Sequence, residues 1–354
     1  MSQDTDMRFA VIGTGMMGCE HIRNLAHNDE VDLIAVADPN QRSLDRAIKA
    51  CGTRFTPKAC VSAAEVIDLQ PDAVIIATPN YTHFELVKNF GDSPIHLLVE
   101  KPMTTTLADA RTLVEIAEKR SALTWIAMEY RYMPTTQSFL HNLAKVGDLK
   151  MLFIREHRFP FLKKVDNWNR FNRFTGGTLV EKCCHFFDLM NHAIDARPLR
   201  VMASGAQDVN HREERYEGEQ PDIIDNAFVI VDYDNGSRAC LDLCMFAEGS
   251  QNEQELVATG SLAKLEGWIP GNRLSLASRE GRKVTEIPVP PDTRIRYNGM
   301  HHGSSYLEQV QFIHAIKNGS QPEVTSRDGY WAVAIGIAAQ QAIARGEVVP
   351  VERL

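Results

Sequence analysis

The chain has 354 residues, of which 44% are hydrophobic and 24% charged, a composition typical of a soluble globular protein long enough for two domains. Its formal net charge of −8 argues against a general role in binding nucleic acid or membrane surfaces, and no apolar run reaches the roughly 18 residues that span a bilayer. The acidic N-terminus Met1–Asp6 is unlike a signal peptide, and seven scattered cysteines suit reduced thiols better than a disulfide framework. We therefore predict a cytoplasmic protein.

A glycine-rich turn follows the first predicted strand, Arg8–Ile12, and opens a helix-compatible segment. Its residues are Gly13, Thr14, Gly15, Met16, Met17 and Gly18. Gly13 permits a tight turn, Gly15 lets phosphates approach the backbone, and Gly18 lets the helix pack on the strand. The helix N-terminus then presents free N–H groups and a positive dipole to the phosphates. The pattern predicts a dinucleotide-binding turn, and the alternative is a glycine-rich turn without a ligand.

Asp38 ends the second predicted strand, Val31–Ala37, about 20 residues after Gly18, as the dinucleotide fingerprint requires. Its carboxylate is expected to accept hydrogen bonds from the adenosine ribose hydroxyls and to repel a 2′-phosphate. NAD is therefore favoured over NADP, although Arg42 lies nearby and could soften that preference. The alternative for Asp38 is a strand-end turn residue before Pro39.

Short apolar runs alternate with amphipathic stretches through the rest of the first part. Further predicted strands are Ala73–Ala77, His96–Val99 and Leu123–Met128. Helix starts with capping-box character occur at Ser62 and Thr106. Repeated β-α units predict a doubly wound parallel sheet, with ligands beyond the carboxyl ends of the strands. We expect residues 1–128 to form this α/β nucleotide-binding domain.

From about residue 129 the pattern changes to long strand-like runs. These are Met151–Phe159, Leu199–Val209, Asn226–Tyr233, Arg238–Phe246 and Glu253–Thr259, with a predicted hairpin turn at Asp234, Asn235 and Gly236. Two helices, about Ser305–Lys317 and Ser326–Ala344, are predicted to stop at Gly319 and Gly346. We expect residues 129–354 to form an α/β domain with a large, open, mostly antiparallel sheet. Because an open sheet face needs cover, a homodimer or homotetramer is expected.

Three clusters of polar residues follow predicted strands. The first contains Thr78, Pro79, Asn80 and His83, the second is Glu100-Lys101-Pro102, and the third is the segment from Thr175 to Asp188. Asn80 and His83 also have local alternatives, as an Asx-type turn residue and a helix-start residue.

Lys101 stands directly before a proline at a strand end, so its direction is restricted and we predict that it points into the cleft. The alternative is a solvated lysine. If the bound dinucleotide accepts hydride from an alcohol, a nearby group must take the hydroxyl proton, which free lysine, with a pKa of about 10.4, does poorly at neutral pH. Partial burial and a nearby cationic nicotinamide would lower that pKa.

His185 is the second candidate for proton transfer. Glu181 stands four residues earlier, so on a continuous helix it would share a face with His185 and could orient the imidazole. Lys182 would then point away from that face. The alternative for His185 is a core histidine. Adjacent Cys183 and Cys184 lack metal-ligand spacing, so we predict packing residues and no metal.

If the substrate is a sugar, Trp168 and Arg158 are further candidate contacts, because aromatic faces stack on sugar CH surfaces and arginine can donate to hydroxyls. The alternatives are a core tryptophan and a surface arginine. His157, Asn169 and Arg170 are weaker candidates of the same kind. Arg158 with Lys163 and Lys164 could favour an acidic substrate, and His301 and His302 could close the cleft.

Taken together, these segments resemble the family of glucose–fructose oxidoreductase, inositol dehydrogenase and the rhizopine-catabolism dehydrogenases (Gfo/Idh/MocA). The shared features are the glycine fingerprint, the T-P-N-x-x-H loop, the E-K-P turn and the G-G-x-L-x-acid-x3-His segment. The resemblance implies a Rossmann domain, a second domain with an open sheet, and NAD(P)-dependent oxidation or reduction of a hydroxyl or carbonyl on a sugar or polyol.

The same resemblance implies residue roles. The lysine matching Lys101 polarises the reacting oxygen and shares proton transfer with the histidine matching His185, from the other domain. The Thr78–Asn80 loop lies along the nicotinamide end of the cofactor, and Glu100 contacts the ribose or steadies the loop. Family members usually have aspartate and glycine where this chain has Glu181 and Cys183.

Three functions remain open from the sequence. The leading one is an NAD-dependent sugar or polyol dehydrogenase in which Lys101 and His185 handle the hydroxyl proton and Glu181 supports them. A second is a glycoside-cleaving enzyme that oxidises its sugar transiently with bound NAD. A third is a non-catalytic sensor of sugar or NAD on the same fold, which the presence of both proton-transfer residues disfavours.

Overall fold

The computed structural model describes residues 6–354, so Met1–Thr5, part of the segment compared above with a signal peptide, lies outside the described residues. The described chain forms two compact units: the part up to Glu129 together with Thr293–Tyr330, and Tyr130–Asp292 together with Trp331–Leu354. The predicted domain limit near residue 128 remains a prediction.

Strands and helices alternate through the first part of the chain. They are β1 (Met7–Ile12), α1 (Met16–Ala26), β2 (Val31–Ala37), α2 (Gln41–Ala50), β3 (Lys58–Cys60), α3 (Ala63–Asp68), β4 (Ala73–Ile76), α4 (His83–Phe90), β5 (His96–Glu100), α5 (Leu107–Lys119) and β6 (Thr124–Ala127).

Strands dominate the remainder until the last two helices. The elements are α6 (Pro134–Asn142), β7 (Leu149–His157), α7 (Asn172–Thr175), α8 (Thr178–Glu181), α9 (Cys184–Ile194), β8 (Pro198–Ala206), β9 (Asn226–Tyr233), β10 (Arg238–Cys244), β11 (Gln254–Gly260), β12 (Ala263–Ile269), β13 (Arg273–Ser278), β14 (Val284–Pro288), α10 (Ser304–Asn318), α11 (Ser326–Arg345) and β15 (Val349–Pro350).

The first unit contains a six-stranded parallel sheet in the order β3-β2-β1-β4-β5-β6, which confirms the predicted doubly wound sheet. Its neighbouring strands β1, β4 and β5 end at one edge, so the segments that follow them lie along that edge. The sequence did not predict β3, because this short edge strand has one buried residue, Cys60, and so has no apolar run. Ser62 and Thr106 cap α3 and α5 as predicted.

The second unit contains a nine-stranded sheet in the order β14-β13-β12-β11-β7-β10-β9-β8-β15. Most neighbours are antiparallel, as predicted, and β7 and β10 form a parallel pair. Strands β12 to β15 were not predicted from the sequence, although β12 alternates buried residues with more exposed ones such as Lys264 and Glu266, a pattern typical of a half-buried strand. The strand predicted over Leu199–Val209 ends earlier, since the Asp225 carboxylate takes the backbone N–H groups of residues 208–210.

Turn and stop predictions hold where a positive φ angle is needed. Gly236 joins β9 to β10 with φ of 83°, and Gly319 and Gly346 follow α10 and α11 with φ of 63° and 67°. All seven cysteines lie in the described part of the chain, and none of them forms a disulfide there. Among the helices of residues 6–354, none is long and apolar enough to cross a membrane.

Candidate functional site

The glycine-rich turn between β1 and α1 is shaped by its own backbone. Gly13 has φ of 86°, and a Cβ there would lie 2.6 Å from the Ala77 carbonyl carbon. A Cβ on Gly18 would overlap the carbonyl oxygen of Gly13. At Gly15, by contrast, a Cβ would meet no described atom within 4 Å. The chain's packing therefore requires Gly13 and Gly18, whereas the space at Gly15 fits an approaching phosphate at the start of α1.

Asp38 lies at the end of β2, beside this turn. One carboxylate oxygen accepts from the Thr14 backbone N–H at 2.8 Å and from its hydroxyl at 3.2 Å, and the other accepts from the Asn40 N–H at 2.8 Å. Asp38 is therefore a turn-forming residue, and a carboxylate retains further lone pairs for ribose hydroxyls. Met16 is exposed and Met17 half-buried in the first turn of α1.

The loop after β4 is tied to the turn after β5 by His83. The two ring nitrogens of His83 lie 2.9 Å from the carbonyl oxygens of Thr78 and Pro102. Asn80 of the same loop is buried, and its side-chain nitrogen has no hydrogen-bond partner among residues 6–354. A buried donor without a partner is costly unless a ligand satisfies it, so this loop also fits a bound cofactor.

Lys101 follows β5 directly and is half-buried. Its backbone N–H donates to Oε2 of Glu100 at 3.1 Å, and the other oxygen of Glu100 lies 2.8 Å from Nε2 of His21 on α1. The amide of Gln309 on α10 reaches Nδ1 of His21 at 2.8 Å. His21 and Gln309 were not among the residues predicted from the sequence. A histidine on the helix that follows the glycine turn was the one available signal for this contact.

In the second unit, the expected single helix across Glu181 and His185 is wrong. Helix α8 ends at Glu181 and α9 begins at Cys184, so the two side chains do not share one helical face. Glu181 is buried and accepts from Nζ of Lys164 at 3.1 Å, and that ammonium lies 4.5 Å from the ring centroid of half-buried Trp168. The structure thus brings two predicted residues, Glu181 and Trp168, together through Lys164.

His185 is buried and stacks on Tyr130, with ring centroids 4.0 Å apart and an interplanar angle of 6°. Lys182, expected to point away, lies 2.6 Å from the hydroxyl of the same tyrosine, because the helix break redirects it. Lys182 also pairs with Glu156 on the inner face of β7, at 2.8 Å. Sequence reasoning missed Tyr130 and Glu156 altogether, since they are distant in sequence from the histidine segment.

The remaining candidates are placed within their own units. Arg158 stacks on Phe159 and lies 3.8 Å from Glu156, whereas His157 contacts Asp242 on the outer face of the sheet. Further candidates pair as follows: Arg170 with Glu214, His301 with Glu129, Lys163 with the ring of Tyr216, and Asn169 with the Leu162 carbonyl, while His302 is exposed. No group of three or more His, Cys, Asp or Glu residues in the described chain is arranged to hold a metal ion.

Comparison with known proteins identifies the family of both parts of the chain. The NAD-binding Rossmann fold of the oxidoreductase family matches residues 7–128, and the C-terminal alpha/beta domain of that family matches residues 143–352. Myo-inositol 2-dehydrogenase from Thermotoga maritima is 25% identical, over 98% of this chain and 99% of that protein. Inositol 2-dehydrogenase from Rhizobium meliloti is 24% identical, over 96% and 97% respectively.

The fold of the chain is also similar to that of solved oxidoreductase structures. The structure of levoglucosan dehydrogenase in complex with NADH has a TM-score of 0.85 to this chain at 18% identity, and covers 99% of this chain and 100% of that one. With both family domains matched in order, the chain belongs to the Gfo/Idh/MocA oxidoreductase family and is an NAD-dependent oxidoreductase.

Proposed function

We propose that the protein oxidises a CH–OH group of an inositol or a related sugar or polyol. The observation that carries the proposal is the position of Lys101. It follows β5 directly, at the same edge of the parallel sheet as the glycine turn after β1 and the Asn80 loop after β4. The names of the inositol dehydrogenases that match nearly the whole chain support this substrate class.

The proposed division of labour assigns the chemistry to few groups. Bound NAD supplies the hydride acceptor. Lys101 polarises the reacting hydroxyl, and His185 takes its proton, so that charge does not build up on oxygen. Glu181 has a supporting role, and its ion pair with Lys164 favours orientation of the pocket over proton transfer. Arg158 and Trp168 are proposed substrate contacts.

The cofactor contacts follow from the first unit. The backbone from Gly13 to Gly18, including Met16 and Met17, is proposed to bind the pyrophosphate, and Asp38 the adenosine ribose. The nicotinamide end is assigned to two segments, the loop after β4 with Thr78, Pro79, Asn80 and His83, and the end of β5 with Glu100 and Lys101. NADP is disfavoured because its 2′-phosphate would lie against the Asp38 carboxylate.

The direct test is NADH formation, measured by absorbance, with NAD and a panel of myo-inositol, scyllo-inositol, aldoses and sugar acids. We expect turnover of at least one polyol, and Lys101→Met and His185→Gln to lower kcat by about 100-fold or more. The matched control is Lys88→Met, an exposed lysine of α4 paired with Glu85, which should leave kcat unchanged. Absence of turnover across the panel would reject the proposal. With an aryl glycoside added to the panel, release of the aglycone without NADH accumulation would instead indicate the glycoside-cleaving alternative.

We also propose that the outer face of the nine-stranded sheet joins two copies of the chain. Phe228 and Ile230 of β9 are 60% and 38% exposed, and Ile230, Cys240 and Phe153 lie in one row across neighbouring strands. Residues of both signs flank this row, including Arg155 paired with Glu255, so identical faces would not repel. A cytoplasmic location is proposed from the reduced cysteines.

A further inference from the structure

The His185 ring has one face covered by another flat ring. Tyr130 stacks on it almost parallel, at 4.0 Å between centroids, in the buried interior of the second unit. Rotating the imidazole about its Cβ–Cγ bond would break this contact, so the phenol defines the plane of the imidazole. Any role of His185 that depends on where its nitrogens point therefore depends on Tyr130.

Tyr130 is in turn held at its hydroxyl. Nζ of Lys182 lies 2.6 Å from that oxygen, and the ring meets Phe186 edge-on at 5.7 Å. The ammonium donates to the phenol oxygen, which leaves the hydroxyl proton for another acceptor. The contact joins the residues on either side of the break between α8 and α9 to the segment that follows β6.

The ammonium that holds Tyr130 is itself in an unusual position. Lys182 is 4% exposed and lies 2.8 Å from Glu156, which is 0% exposed. Burial lowers the pKa of Lys182, the charge of Glu156 opposes that change, and Arg158 adds to it. Apolar side chains of similar volume would fill this place at a lower free-energy cost, because removing two charged groups from water is unfavourable. The ion pair is therefore better explained by the orientation that it imposes.

We propose that Glu156, Lys182 and Tyr130 are positioning residues that fix the imidazole of His185 for proton transfer. Glu156 anchors the ammonium, the ammonium anchors the phenol, and the phenol sets the plane of the imidazole. The inference deepens the proposed function and rests on it for the meaning of the alignment. The alignment itself is a property of the free protein and can be measured without substrate.

The first measurement is NMR of protein with labelled histidines. The His185 C–H signals, identified by their loss in His185→Gln, should lie upfield because they sit over the Tyr130 ring. Tyr130→Leu removes the ring, and these signals should move to ordinary histidine positions. Tyr130→Phe keeps the ring and its contact with the Lys182 ammonium, 4.8 Å from the ring centroid, but removes the hydrogen bond, so the His185 signals should move only part of the way towards ordinary positions. The double variant Glu156→Gln/Lys182→Met should have the effect of Tyr130→Phe.

The second measurement is steady-state kinetics with NAD and the polyol that the wild-type protein oxidises. We expect kcat to fall by about 10- to 100-fold in Tyr130→Leu, with KM little changed, and by less in Tyr130→Phe. Phe139→Leu is the matched control, because Phe139 is a buried aromatic residue of α6 in the same unit. It should lower stability while leaving kcat and the His185 signals unchanged.

The outcomes separate the two hypotheses. Unmoved His185 signals in Tyr130→Leu, or in Tyr130→Phe should the leucine variant not fold, would overturn the positioning role. Equal kcat in wild type, Tyr130→Phe and Tyr130→Leu would also overturn it. If the wild-type protein oxidises no polyol, the proposed function fails, but the NMR series still decides whether these residues align His185.

Discussion

His21 and Glu100 form a buried ion pair, with Nε2 of the imidazole 2.8 Å from the carboxylate. Burial lowers the pKa of His21, but the hydrogen bond and charge of Glu100 outweigh it and raise the pKa above the ordinary 6.5. Burial likewise raises the pKa of Glu100, but the hydrogen bond and charge of His21 dominate and lower it to about 2. Because Glu100 also accepts from the Lys101 backbone, the pair links α1 to the segment that carries the proposed catalytic amine.

The His21–Glu100 pair is predicted to make a pH-dependent contribution to the free energy of unfolding. The lowered pKa of Glu100 contributes stability that is present above 4.5 and is lost as pH falls towards about 2. The raised pKa of His21 contributes stability that is present below 6.5 and is lost as pH rises through its folded value. The contribution should therefore be largest between pH 4.5 and 6.5.

Urea unfolding of wild type and the double variant His21→Gln/Glu100→Gln, at about pH 3.5, 5.5 and 8.5, measures this share. The difference in free energy of unfolding should peak at the middle pH. A difference that stays constant over the three conditions would contradict the assignment. The single variant Glu100→Gln should cost about 3–5 kcal/mol near the peak, since it leaves the histidine charge buried alone.

Two glycines of the turn should respond differently to alanine. Gly15→Ala adds a methyl group where the described chain has open space, so the free energy of unfolding should change by about 1 kcal/mol or less. The same methyl group obstructs the pyrophosphate, so the Kd for NAD, measured by calorimetry, should rise about tenfold or more. Gly18→Ala should instead destabilise the fold by about 2–3 kcal/mol, because its Cβ overlaps the Gly13 carbonyl. An unchanged Kd for NAD in Gly15→Ala would contradict the proposal that the pyrophosphate binds at Gly15.

The cofactor preference should depend on the charge of Asp38. Asp38→Asn keeps an oxygen that can accept from Thr14 but removes the repulsion of a 2′-phosphate. We expect weaker NAD binding and a ratio of the NADP and NAD dissociation constants that moves about tenfold towards NADP. Asp32→Asn, at an exposed position of β2, is the control for a general change in charge. If both variants keep the wild-type ratio of NADP and NAD dissociation constants, the Asp38 carboxylate does not determine the cofactor preference.

The Lys182–Glu156 pair should show strong coupling in stability. Lys182→Met alone leaves the Glu156 carboxylate buried and should cost about 3–5 kcal/mol in unfolding free energy. Adding Glu156→Leu removes that buried charge, so the double variant should recover most of the loss. Chemical denaturation of the four proteins gives the interaction energy. Additive losses would mean that the two charges do not compensate each other.

The outer sheet face should control assembly. The substitutions Phe228→Asp and Ile230→Asp, made separately, introduce a charge on this face. Each should lower the mass in solution, measured by light scattering, from that of a dimer or tetramer to that of a smaller species. Leu262→Asp is the matched control, because Leu262 is 62% exposed but lies in the turn between β11 and β12. A wild-type monomer, or an assembly insensitive to both outer-face substitutions, would reject the proposed pairing.

The amino-acid sequence alone determined the features that local pattern encodes. Buried parallel strands such as β2 are continuous apolar runs, and Gly13, Gly236 and Gly319 stand where only a residue without Cβ adopts the required φ angle easily. The short edge strand β3 was missed because its single buried residue leaves no apolar run to detect, whereas β12 was missed although the sequence contains its period-2 pattern.

The tertiary structure decided which polar groups meet. The contact of His21 with Glu100 joins residues 79 positions apart, and Tyr130 meets His185 from another part of the chain. A sequence period reports which face of an element is buried, but not which neighbour covers it. The break between α8 and α9 also turned Lys182 inwards, against its helical expectation. Burial in a low-dielectric interior then required a partner for each of these charges, and only the folded chain could supply it.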